Sequence, residues 1–147
     1  MYLLDTNHCS RIILGNRNLL QKLQSCLGDG AATSVIVRGE LLYMVQKSER
    51  RAENLKAVSA FLQTIALYPI NGAVADVYGG LKGDIINQLG PKDKTQRRKI
   101  TAQNLGFSEN DLWIAATALH YGLIVVSADQ DFERIRQVQD FPLESWL

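Results

Sequence analysis

Four carboxylates fall where a folded chain could bring them together: Asp5, Glu40, Asp111 and Asp129. Asp5 directly follows the apolar run Tyr2-Leu3-Leu4, and Asp129 lies just beyond Val125-Val126-Ser127. If both runs are strands of a parallel sheet, these residues stand at carboxyl ends, where open α/β sheets bind ligands. Each also has an ordinary use as the cap of a following helix, worth about 1 kcal/mol. Asp111 has a local role of the same kind, because Ser108-x-x-Asp111 resembles a capping box and suits a helix dipole. Glu40 has no such role. At helical spacing its neighbours are Ile36, Val37, Tyr43 and Met44, so the carboxylate lies on an apolar face. Either it reaches past the edge of a tilted stripe, or a cation, a metal or a proton meets it, since an unpaired buried charge is costly. Gly39 beside it weakens the helix but permits close approach. No cap explains the set, and converging oxygen ligands suit a hard cation such as Mg²⁺ or Mn²⁺.

Other chemistries lack their residues. Two cysteines, Cys9 and Cys26, and two histidines, His8 and His120, are too few and too scattered for a zinc site. No Ser-His-Asp or Cys-His set points to covalent catalysis, and no glycine-rich loop points to nucleotide hydrolysis. A second feature is electrostatic. Sixteen Lys and Arg against fifteen Asp and Glu leave a net charge of only +1, but the segment PKDKTQRRKI concentrates Lys92, Lys94, Arg97, Arg98 and Lys99 against the single acid Asp93. Such a cluster attracts phosphates without sequence preference, or else forms a solvated loop or helix face.

These residues need elements to position them. At 147 residues, with 46% hydrophobic and 21% charged side chains, the chain has the length and composition of one ordinary globular domain. No apolar run approaches the roughly 18 residues of a membrane span. The opening Met-Tyr-Leu-Leu-Asp lacks the pattern of a secretory signal, so a cytoplasmic location with reduced cysteines is expected. Tyr2 to Leu4 predicts a buried strand passing into a helix at Asp5-Thr6-Asn7. Two helices follow from Asn7 to Leu27, broken at Gly15-Asn16. Ala31 to Ser34 predicts a second strand, with Ser34 capping a helix to about Lys47, and another helix spans Ala52 to Ile65. Leu67 to Ile70 is a third expected strand, and Asn71 starts a helix to about Leu89. A strongly apolar helix runs from Ser108 to Gly122, then a buried strand over Leu123 to Val126, then a helix from Asp129 to Ile135. Strands alternating with helices predict a mostly parallel sheet covered on both faces.

The pieces YLLDTN, SVIVRGELLY, ENDLWIAATAL, VVSADQDFERI and PLESW, in this order, resemble the PIN-domain family, in particular the VapC-type toxins of bacterial toxin–antitoxin pairs. The resemblance covers nearly the whole chain. It implies a Rossmann-like, three-layer α/β/α fold, an acidic cluster binding Mg²⁺ or Mn²⁺, and endoribonuclease activity. It assigns metal binding to Asp5, Glu40, Asp111 and Asp129, with Asp131 assisting, and makes Thr6 and Ser127 the hydroxyls that orient the carboxylates. It also implies a small antitoxin that occludes the acidic site and a homodimer formed through the helices between Ser34 and Ile65. The chain departs from many relatives in the longer basic stretch from Pro91 to Ser108, in Met44 where glycine is frequent, and in Asp129 where some have Asn. In this reading Lys92, Lys94, Arg97, Arg98 and Lys99 guide an RNA backbone. Two alternatives stay open: a nuclease of the same fold acting in RNA processing or on DNA without an antitoxin, and a non-catalytic binding module whose acids serve only as caps.

Overall fold

The computed structural model, which describes residues 1–26 and 28–147, builds its sheet outward from the first three-residue run. β1 (Tyr2–Leu4) pairs in parallel with β2 (Ala31–Ser34) on one side and with β4 (Ile124–Val126) on the other, in the registers Leu3↔Ala32 and Leu3↔Val125. β3 (Ala66–Tyr68) extends the β2 side and β5 (Leu143–Glu144) the β4 side. The order is thus β3-β2-β1-β4-β5, parallel throughout. The order in which strands are added switches sides between β1 and β4, so the connections leaving these two parallel strands diverge and open a crevice beyond their carboxyl ends. Leu3, Leu4, Val125 and Val126 are fully buried, as apolar runs in a sheet covered on both faces must be.

Helices flank the sheet as the three-layer expectation requires. α1 (Thr6–Ile13) and α2 (Arg17–Ser25) are separated at Gly15, whose φ of 86° favours glycine, and at Asn16, whose side chain accepts from the Leu19 N–H to cap α2. Leu27, with which that pair of helices was expected to close, lies outside the described residues. α3 (Val35–Lys47) is capped by Ser34 as read from the sequence, and α4 (Arg51–Leu62) packs against it. α5 (Gly72–Leu89) makes its main contact with α7 (Glu109–Tyr121), in which Leu112, Ile114, Ala115, Ala116, Thr117 and Ala118 are all buried. A helix buried this fully is held from several sides, so its amino-terminal turn is rigidly placed. Gly122, at a φ of 66°, ends α7 and turns the chain into β4. α8 (Gln130–Val138) closes the layer with Phe132 and Ile135.

Differences from expectation are local. β3 stops at Tyr68 rather than Ile70, because Pro69 has no N–H to donate to a ladder. The basic segment forms a short helix, α6 (Lys94–Lys99), capped by Asp93, whose side chain accepts from the Gln96 N–H. β5 was not foreseen; its two residues carry no apolar pattern.

Candidate active site

Asp5 leaves β1 and caps α1. Its Oδ1 accepts the His8 N–H at 2.8 Å, and its Oδ2 accepts the Ser127 hydroxyl at 2.5 Å. Ser127, one residue past β4, in turn accepts the Asp129 N–H at 3.0 Å. A single buried hydroxyl therefore ties the ends of the two central strands together across the crevice. Asp129 caps α8, its Oδ1 accepting the Asp131 N–H at 2.9 Å. The cap readings of Asp5 and Asp129 thus hold, and they are compatible with a second use. Each cap bond occupies one carboxylate oxygen, and a carboxylate offers about four lone pairs.

Asp111 is different. Ser108 occupies the cap position of α7 but makes no side-chain bond to it, so the capping-box account of this turn fails. One carboxylate oxygen from each of Asp111, Asp129 and Asp131 lies within 4.8 Å of the others. Burial pushes the Asp111 carboxyl up to about 7, with further contributions from Asp129, Asp131, Glu40 and Asp5. Glu40 accepts from the Thr6 hydroxyl at Oε2 and from the Asn110 amide at 2.7 Å at Oε1. These two neutral donors orient the carboxylate without cancelling its charge, which leaves it able to meet a cation.

All five carboxylates, Asp5, Glu40, Asp111, Asp129 and Asp131, line one cavity of about 300 Å³, together with Thr6, Asn7, Ser108 and Phe132. Among the described residues, Arg134, 3.4 Å from Asp131, is the one Lys or Arg paired with any of them. The same guanidinium donates to the Leu105 carbonyl at 2.7 Å and lies 4.1 Å over the Phe107 ring, so it also clamps the loop leading into α7. A pocket crowded with carboxylate oxygens and poor in positive charge fits a hard divalent cation, which would take oxygen ligands and relieve the repulsion. Thiol chemistry is absent here. Cys9 and Cys26 are free and buried, and desolvation pushes the Cys9 thiol up to about 12.

The basic residues gather elsewhere. Lys94, Arg97 and Arg98 line a cleft of about 680 Å³ with Lys82, Gly79, Gly83 and Asn87 of α5, whereas Lys92 and Lys99 are exposed outside its lining. Arg97 is already engaged, donating to the Pro91 and Lys92 carbonyls at 3.4 and 3.2 Å. Lys82 reaches Glu109 at 3.0 Å, linking this cleft to the first turn of α7 and so to the neighbourhood of Asp111. Sequence reasoning missed Asn110, Arg134 and His8. Both Asn110 and Arg134 fall inside expected helices; Arg134 stands at the i,i+3 spacing from Asp131, but nothing local marks Asn110 as reaching Glu40.

Residues 2–138 match the PIN domain family model. The chain is 27% identical over 148 residues to Ribonuclease VapC2 of Haemophilus influenzae, covering 99% of this chain and 98% of that protein. It is 26% identical over 153 residues to Ribonuclease VapC2 of Rickettsia felis, with the same coverage. Among solved structures it superposes on VapBC2 from Rickettsia felis bound to a DNA fragment from their promoter, with a TM-score of 0.81 at 26% identity over 99% of this chain and 98% of that one. It shares its fold with DNA-bound VapBC from Salmonella typhimurium, at a TM-score of 0.79 and 23% identity over 99% and 98% of the two chains. With sheet order, acidic cavity and family match in agreement along nearly its whole length, the chain belongs to the PIN domain family.

Proposed function

We propose that this protein is a Mg²⁺- or Mn²⁺-dependent endoribonuclease and the toxin of a toxin–antitoxin pair. The observation that carries the reading is the single cavity lined by five carboxylates with one paired Arg. In this reading Asp111, Asp129 and Asp131 hold the cation with Asp5 and Glu40, Ser127 orients Asp5, and Thr6 and Asn110 orient Glu40. A divalent cation, when bound, lowers the pKa of a coordinated water and stabilises negative charge on the phosphate and the leaving oxygen. The chain contributes placement: three short links across the crevice fix the carboxylates before substrate arrives, and the buried α7 prevents Asp111 from retreating. Lys94 and Arg98, with Lys82 and Arg97 beside them, hold phosphates of the RNA backbone. Lys92 and Lys99 add to the surrounding positive field.

Similarity to VapC ribonucleases and to toxins crystallised as VapBC complexes supports an antitoxin partner that covers the acidic cavity. Homodimerisation through α3 and α4 is supported by the exposure of Tyr43, Met44 and Leu55 on those helices. A cytoplasmic location fits the RNA substrate. Among the described residues, no helix is long and apolar enough to cross a membrane. Labelled single-stranded RNA and DNA of the same sequence, each incubated with the purified protein in Mg²⁺, Mn²⁺ or chelator, test the proposal. RNA cut only with metal and DNA left intact is the expected pattern. Cleavage in chelator, or of DNA alone, would contradict it.

A further inference from the structure

His8 is completely buried three residues after Asp5, and a buried imidazole needs partners for both ring nitrogens. Nε2 lies 3.4 Å from the backbone N–H of Trp146. An N–H only donates, so Nε2 is the bare nitrogen and the ring proton sits on Nδ1, 2.8 Å from Asp5 Oδ1. Trp146 follows β5 and packs edge-on against both His8 and Tyr2, with ring centroids 6.5 and 5.3 Å away. The segment beyond β5 therefore fixes the tautomer of a ring that points its proton at Asp5. Capping α1 requires only the His8 backbone N–H, already 2.8 Å from the same oxygen. The ring bond is additional, and with the Ser127 hydroxyl on Oδ2 it brings to three the donors holding this carboxylate.

We propose that His8 is a positioning residue for metal binding: its Nδ1–H, locked by the Trp146 N–H, holds Asp5 in the orientation that a divalent cation needs. The proposal rests on Asp5 being a metal ligand, as in the function proposed above. Groups that orient a ligating side chain commonly change metal affinity by about 10- to 100-fold when removed. Wild type, His8→Leu, His8→Asn and Asp5→Asn, each shown to be folded by circular dichroism, are titrated with Mn²⁺ while free Mn²⁺ is followed by electron paramagnetic resonance. His8→Leu is expected to weaken Mn²⁺ binding about 10-fold or more, whereas His8→Asn, whose amide can donate from the position of Nδ1, stays within about 3-fold of wild type. Wild-type affinity in His8→Leu, or equal losses in the Leu and Asn variants, overturns the positioning role even if Asp5→Asn abolishes binding. Unchanged Mn²⁺ binding in Asp5→Asn instead overturns the metal-site reading on which the role depends. Should His8→Leu fail to fold, ¹⁵N spectra of histidine-labelled, metal-free wild type decide the matter: protonated Nδ1 with bare Nε2 is expected, and the opposite tautomer refutes the lock.

Discussion

Replacing Asp111 by Asn should make the metal-free protein more stable while destroying its site. Desolvation and four neighbouring carboxylates raise the Asp111 carboxyl from 3.8 to about 7, so between these values the folded state holds its proton more tightly than the unfolded chain does. Its ionisation therefore costs stability as pH rises. The full shift corresponds to about 4 kcal/mol, and because the carboxyl is only partly buried, solvent screening reduces this to about 1–2 kcal/mol. For a chain of 147 residues the unfolding entropy near the midpoint is about 0.3 kcal/mol per degree, so Asp111→Asn should raise the Tm in chelator at pH 8 by about 3–6 °C. The gain is smaller at pH 5 and nearly gone near pH 3, where the folded and unfolded carboxyls are both protonated. Calorimetric scans of both proteins at the three pH values provide the check. Adding Mg²⁺ at pH 8 should raise the wild-type Tm and leave the variant nearly unmoved, because only a ligand bound to the native state stabilises it. A variant less stable than wild type at pH 8 in chelator, or a gap independent of pH, would refute the electrostatic account of this site.

The other expectations concern the supports. Lys94→Ala combined with Arg98→Ala should lower the salt dependence of single-stranded RNA binding by about 1.4 in log–log slope without changing the fold, measured by fluorescence anisotropy across a salt series. Arg97→Ala should do this less cleanly, because it also frees the Pro91 and Lys92 carbonyls, and hydrogen exchange should speed up at Gly90, whose N–H bonds the Ile86 carbonyl. Phe132→Ala, which empties a fully buried position beside the acidic cavity, should cost about 3–5 kcal/mol in urea unfolding. Thr6→Val should leave stability nearly unchanged yet reduce RNA cleavage, since it removes the hydroxyl that orients Glu40.

Much of the frame was legible because it follows from local pattern. The strand of Tyr2–Leu4, the break at Gly15-Asn16, the Ser34 cap and the apolar α7 each carry their own signal within a few residues. Asp5 and Asp129 could be placed at one edge because the two most apolar runs had to be central strands. Three things were not legible. β5 is held by its neighbour β4 rather than by any propensity of Leu143-Glu144. Asn110 reaches Glu40 across 70 residues of sequence, and Arg134, which pairs locally with Asp131, also ties to Leu105 across 29, contacts that no local spacing encodes. The basic run gave its charge but not its division of labour: α6 turns Arg97 back to hold its own loop and leaves Lys92 and Lys99 outside the cleft. Glu40 stood out because its neighbours at helical spacing are apolar, yet Tyr43 and Met44 among them are exposed, and its bonded partners are a hydroxyl and an amide.

The most direct measurement compares wild type, Asp5→Asn and Asp111→Asn, purified side by side, for cleavage of one labelled RNA in Mg²⁺. The account predicts metal-dependent cleavage by wild type and a loss of at least about 100-fold in both folded variants, since each removes a charge from the site that holds the cation. Equal cleavage by all three proteins would contradict it, and the assignment of Asp5 and Asp111 to a metal site would fall.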